Sequence, residues 1–184
     1  ELNREKLAGL ADKNCEMQFF EMKDELNTIT DRMSNRLRAD YFTLTIYFRL
    51  FIPVLFPEYD KGIYLDSDIV VPGDISELYQ MHLGENLLGA VIDPVVAAVP
   101  ELTRHAELCV GVERDKYFNS GVLLMNLKKL RETRIDQRFL ELFNKYHFDC
   151  IAPDQDYLNA MCKGRVTYLP ALWDAMPSDA TEPL

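Results

Sequence analysis

Basic clusters are missing from this chain: Lys128-Lys129 is its longest run of Lys or Arg, and 30 acidic residues outnumber 20 basic ones, leaving a net charge of −10. A nucleic-acid binder normally carries a basic patch or stripe, so nucleic acid is excluded as the main partner. Closely paired cysteines are missing too. Cys15, Cys109, Cys150 and Cys162 include no Cys-x-x-Cys, which argues for reduced thiols rather than a disulfide framework. A zinc site from His147, Cys150 and Cys162 would lack the usual paired ligand spacing. No long apolar run occurs. The most apolar stretch, Phe42 to Phe56, holds Arg49 and Pro53 and is too short to span a bilayer. No secretory signal opens the chain, which begins at Glu1, and there is no internal repeat or low-complexity tract. The expectation is a soluble protein in a reducing compartment, with no transmembrane segment.

What is present is an ordinary globular composition, 48% hydrophobic and 27% charged over 184 residues, enough for one domain with a substantial core. The most informative stretch is Lys61-Gly62-Ile63-Tyr64-Leu65-Asp66-Ser67-Asp68-Ile69-Val70. Here an apolar segment runs into two carboxylates one residue apart. In a strand, that spacing puts Asp66 and Asp68 on one side of the backbone, where they could share a hard divalent cation. In so aspartate-rich a chain about one Asp-x-Asp arises by chance, and Asp154-Gln155-Asp156 is a second. Context has to decide.

Glu1 to Asp12 favours helix, and Met17 to Met22 reads as a strand. Glu21 to Asp40 reads as loop, and Phe42 to Leu50 as a largely buried helix. Ile63 to Leu65, Leu87 to Ile92, Val122 to Leu124 and Arg165 to Leu169 are short apolar strands. Asp74 and Glu77 have capping-box spacing for a short helix. Ile135, Phe139, Leu142, Phe143 and Tyr146 mark an amphipathic helix, and Asp154 is placed to cap one from Gln155 to Cys162. Strands separated by helices predict an α/β fold with a mainly parallel sheet flanked by helices. Such sheets bind ligands at the carboxyl ends of strands, where both Asp66 and Asp93 fall.

Four blocks then stand in a familiar order: Thr45-Ile46-Tyr47-Phe48-Arg49-Leu50, Tyr64-Leu65-Asp66-Ser67-Asp68, Tyr117-Phe118-Asn119-Ser120-Gly121-Val122-Leu123-Leu124-Met125-Asn126-Leu127, and Asp154-Gln155-Asp156-Tyr157-Leu158-Asn159. With these the chain resembles glycosyltransferase family 8, the retaining sugar-nucleotide enzymes that include lipopolysaccharide galactosyl- and glucosyltransferases. The resemblance covers about Glu16 to Pro177, and the ordered set gives it specificity.

The resemblance implies a GT-A fold, a nucleotide diphosphate sugar as donor (UDP-glucose or UDP-galactose), and manganese, or magnesium in its place, held by Asp66 and Asp68. It implies that Arg49 helps hold the donor and that Asp93 and Asn119 hydrogen-bond the transferred sugar. Asp154 and Gln155 would lie beside the anomeric carbon. The partner would be a saccharide acceptor such as a cell-envelope glycan. The location would be the cytoplasm or the inner face of the membrane. Retention allows double displacement through a covalent intermediate or front-face substitution; an amide oxygen makes Gln155 a poor nucleophile, which favours the second. Asp93 also reads as a turn cap before Pro94, and Tyr117-Phe118 as core.

Two family elements are not in these residues: the N-terminal strand with its acidic loop, and a C-terminal His-x-x-Gly that supplies a third manganese ligand. The expectation is therefore a single partial domain over residues 1–184 that binds donor poorly by itself. Two other readings stand beside it. One is a haloacid dehalogenase-type phosphatase with Asp66 as nucleophile and Asp68 as acid/base; the other is an inactive remnant that binds a partner.

Overall fold

Val122 to Met125 is apolar at every position, so as a strand it has no face for water and belongs at the centre of a sheet covered on both sides. A computed structural model describes residues 2–13, 15–20, 44–145 and 150–176. In chain order the elements begin with α1 (Leu2–Ala8), a 3-10 helix (Leu44–Leu50), α2 (Ile52–Leu55) and β1 (Gly62–Leu65). Next come α3 (Ile75–Gln80), β2 (Leu88–Ala90), α4 (Pro94–Ala98), α5 (Pro100–His105) and a π-helical turn (Ala106–Val110). The rest are β3 (Val122–Met125), α6 (Leu127–Glu132), α7 (Ile135–Lys145), α8 (Pro153–Cys162), β4 (Val166–Tyr168) and a 3-10 turn (Ala171–Asp174).

The strands form one sheet in the order β1-β3-β2-β4. β3 is buried throughout, and its side chains alternate between two cores. Leu123 and Met125 join Tyr47, Phe139, Phe143 and Tyr157 on one face, while Val122 and Leu124 join Leu78, Leu83, Val91 and Leu169 on the other. On α7 the spacing of Ile135, Phe139 and Phe143 turns one face inward, and all three are buried. Phe139 alone is worth roughly 3–5 kcal/mol against truncation to Ala. Tyr146, the last member of that stripe, lies outside the described residues, as do the whole of Glu21 to Asp40 and His147.

The helix-flanked α/β architecture is as expected, but the strand directions correct the mainly parallel sheet. β4 runs parallel to β2, whereas β3 runs antiparallel to both β1 and β2. The cause is a return at one end of the two inner strands rather than a crossover. After β2, the Asp93 N–H donates to the Tyr117 carbonyl (2.9 Å) and the Asn119 N–H to the Val91 carbonyl (2.8 Å). The chain therefore re-enters the sheet from the end at which it left. Periodicity reports burial, not direction, so the sequence could not distinguish the two.

Three local expectations also change. The described part of Phe42 to Leu50 is 3-10 rather than α-helix, and Met17 to Phe20 belongs to no strand. α8 begins at Pro153, with Ala152 at the cap, so Asp154 sits in the first turn instead of preceding it. Asp74 caps α3 as expected, its side chain accepting from the Ser76 N–H at 2.9 Å. Among the described residues no helix is long and apolar enough to cross a membrane.

Candidate active site

β1 ends at Leu65, and its ladder is carried one step further by Asp66, whose N–H donates to the Gly121 carbonyl at 2.8 Å. The chain then turns, with the Ile69 N–H reaching the Asp66 carbonyl at 3.3 Å. Asp68 stands exposed in that turn, past the strand, so the alternation of a strand does not set its direction. Asp66 is held from two sides: its Oδ1 accepts from the Tyr64 hydroxyl (2.5 Å) and from Arg49 Nη2 (2.9 Å).

Arg49 is 7% exposed and is the hub of the site. Its Nη1 donates to the carbonyl and hydroxyl oxygens of Ser120 at 2.6 and 3.0 Å, and the guanidinium lies 4.4 Å from the centre of the Tyr64 ring. Its Nε is 3.0 Å from Asp154 Oδ2, a close ion pair in which the N–H is not aimed at the oxygen. One cation thus joins Asp66 to Asp154. Burial pushes the Asp154 carboxyl up, against the pull of Arg49 and of the Ser120 hydroxyl, which donates to Oδ2 at 3.2 Å.

The first turns of α8 hold the strand-entry loop by its backbone. Gln155 Oε1 accepts from the Ser120 N–H (2.9 Å) and its Nε2 donates to Asp93 Oδ2 (2.9 Å). Asn159, one turn on and on the same face, clamps Phe118: Oδ1 accepts its N–H and Nδ2 donates to its carbonyl, both at 2.9 Å. Asp156 Oδ1 accepts from the Tyr117 hydroxyl (2.5 Å), and its Oδ2 lies 3.0 Å from His105 Nε2. Asp93 serves twice, because its Oδ1 caps α4 through the N–H groups of Val95 and Val96 at 2.9 and 3.0 Å. Asn119 turns its oxygen onto the Gly121 N–H at 2.7 Å.

Gly121 is the floor of the site. A Cβ there would lie 3.0 Å from Asn119 Oδ1 and 3.3 Å from Asp66 Oδ2, so the missing side chain leaves room where these oxygens meet. Asp174 approaches the same point from the 3-10 turn, and its acid is pushed up to about 6 by burial, then by the charges of Asp66 and Asp93, with the Val122 N–H pulling the other way.

Of the residues expected from sequence, Arg49, Asp66 and Asp154 meet directly, as do Asp93 and Gln155, and Asn119 closes the floor. Asp68 joins none of these contacts. Tyr64, Ser120, Asp156 and Asn159 were not singled out from sequence, although all four lie inside the ordered blocks; Asp174 and His105 carried no signal. The oxygen donors suit a hard divalent cation that keeps part of its shell for a substrate phosphate. Among the described residues no three His, Cys, Asp or Glu side chains converge as a complete cage, so a cation here would be shared with its ligand.

The pattern of the family described as Glycosyl transferase family 8 matches residues 1–182. A lipopolysaccharide 1,2-glucosyltransferase of Escherichia coli K12 is 33% identical over 177 residues, covering 90% of this chain and 47% of the relative. The solved galactosyltransferase LgtC, in complex with donor and acceptor sugar analogues, superposes with a TM-score of 0.67 at 32% identity, over 80% of this chain and 50% of that one. The bifunctional glycosyltransferase WbbM gives 0.63 at 30% identity, over 73% of this chain and 26% of that one. The chain thus spans about half or less of the length of these relatives. The dehalogenase-type phosphatase reading has no place beside these matches.

Proposed function

Because this chain belongs to glycosyl transferase family 8, we propose that it is part of a retaining glycosyltransferase. The reaction moves a hexose from a nucleotide diphosphate sugar, UDP-glucose or UDP-galactose, to a saccharide acceptor. The observation that carries the reading is the double pairing of Arg49, 2.9 Å from Asp66 and 3.0 Å from Asp154. It ties the carboxylate expected at the diphosphate to the one expected at the sugar ring.

In this proposal Asp66 and Asp68 would hold manganese or magnesium, which as a Lewis acid would stabilise charge on the departing diphosphate. Arg49 fixes Asp66 and Asp154 at the spacing the donor requires. Asp93 and Asn119 hydrogen-bond the sugar, and Asp154 stabilises positive charge developing at its ring. Gln155 is held as a positioning group: its oxygen is committed to the Ser120 N–H and its amide to Asp93, which argues against its use as a nucleophile. A front-face route follows. The acceptor hydroxyl bonds to the anomeric carbon as the carbon–phosphate oxygen bond breaks, and its proton passes to the leaving diphosphate. The glucosyltransferase relative suggests a cell-envelope saccharide as acceptor, with the reaction in the cytoplasm at the inner face of the membrane.

A thermal-shift panel on the full-length protein, with sugar nucleotides and with or without manganese, tests this. A ligand at 100 times its dissociation constant adds about 2.7 kcal/mol, so a UDP-hexose should raise the melting temperature by several degrees, and only with the metal present. A shift that ignores the metal, or turnover of a generic phosphomonoester, would refute it.

A further inference from the structure

The two oxygens of Asp66 are used unequally, and the cause lies two residues back. Tyr64 belongs to β1 and Asp66 continues its ladder, so both side chains leave the same side of the backbone. The Tyr64 hydroxyl donates to Asp66 Oδ1 at 2.5 Å, and the face of the same ring lies 4.4 Å from the Arg49 guanidinium. Arg49 Nη2 closes the triangle on that same Oδ1 at 2.9 Å. A carboxylate oxygen has two lone-pair sites, so Oδ1 is fully taken. Among the described residues no donor reaches Oδ2, and a third of the Asp66 side chain stays exposed. Oδ2 is also the oxygen 3.3 Å from the position a Cβ on Gly121 would occupy.

Resting on the metal and donor reading above, we infer that Tyr64 is a positioning residue for the metal site. Its hydroxyl, with Arg49, occupies Oδ1 of Asp66 and so presents Oδ2 to the cation. Arg49 alone leaves the carboxylate less constrained, because the same guanidinium also serves Ser120 and Asp154. Without the hydroxyl one site on Oδ1 is released, and the carboxylate can turn about its own axis. Burial, and then the hydrogen bond to Asp66, push the Tyr64 phenol up against the pull of Arg49, so it remains a donor across the working pH range. Groups that hydrogen-bond a ligating carboxylate typically govern metal affinity by about 10–100-fold.

The test is manganese binding to the full-length protein in the presence of UDP, read by electron paramagnetic resonance. Tyr64→Phe keeps the ring on Arg49 and removes only the hydroxyl, and it should weaken manganese about tenfold. Tyr64→4-aminophenylalanine returns an N–H donor to the same point and should recover most of that loss. Without ligands, Tyr64→Phe should melt no more than about 6 °C below the wild type, as expected for one hydrogen bond in a domain of this size. A larger fall would overturn the assignment by showing that the hydroxyl holds the fold rather than the metal site. So would an amino variant as weak as Tyr64→Phe. A wild type that binds manganese with UDP, beside a Tyr64→Phe variant within about twofold of it, defeats this inference alone; a wild type that binds no manganese with UDP defeats the functional reading with it.

Discussion

Replacing Arg49 with Met keeps most of the side-chain volume and removes the charge on which the site is built. The side chains of Arg49 and Asp154 are 8% and 12% exposed, so the change strands a carboxylate in a medium that cannot solvate it. Breaking a buried pair from one side typically costs about 3–5 kcal/mol. Asp66, with a third of its side chain exposed, adds less because water screens it. The lost contact with Tyr64 contributes on the order of 1–2 kcal/mol, though terms that share one side chain do not add. A total near 4 kcal/mol lowers the melting temperature of a domain this size by roughly 10 °C. The pH dependence has a definite sign. The Asp154 acid is already raised, and without Arg49 it rises further, so the folded variant binds this proton more tightly than the unfolded chain does. The deficit is therefore largest above the folded-state value and narrows as pH falls through it towards the ordinary carboxylate range. Adding Asp154→Asn should recover at least half of the loss. Thermal melts of the two variants across pH 5 to 8 decide the matter. A single variant within about 2 °C of wild type, or a double variant that loses further stability, would show that the guanidinium is not the hub.

Three other perturbations follow from the same geometry. Asn159→Ala leaves the Phe118 N–H and carbonyl unpaired in the core and should cost about 2–4 kcal/mol in denaturant melts, whereas the exposed Asp68→Ala should barely register. Gly121→Ala puts a methyl 3.0 Å from Asn119 Oδ1 and 3.3 Å from Asp66 Oδ2; UDP-hexose affinity should fall at least tenfold with only a small loss of stability. Cys162 is buried, which pushes its thiol up to about 12, while Cys15 and Cys109 are exposed. Maleimide labelling of the native protein followed by mass spectrometry should modify those two and spare Cys162 until denaturant is added.

Much of this was legible in the residues. The α7 stripe and the Asp74 cap are local patterns whose outcome depends on a few neighbours, and they emerged as expected. The four blocks proved to be four parts of one contact set: the polar residues of Asp154 to Asn159 bind the backbone of Phe118 to Ser120, and Arg49 reaches Ser120 and Asp66. Where the reading failed, the missing information was long-range. Asp154 has the composition of a cap, but Pro153 starts the helix one residue earlier. His105 carried no local signal, and its place beside Asp156 depends on how the α5 end packs against α8.

By itself the sequence determined the strand and helix material, the burial of β3 on both faces, and the family. These follow from side-chain chemistry at short range and from ordered blocks. Only the tertiary structure decided that β3 enters antiparallel between β1 and β2, that one guanidinium couples Asp66 to Asp154, and that Asp174 comes up to Gly121. Each of those depends on where distant segments come to rest in space, and on which charges a low-dielectric interior forces together, which no pattern along the chain encodes.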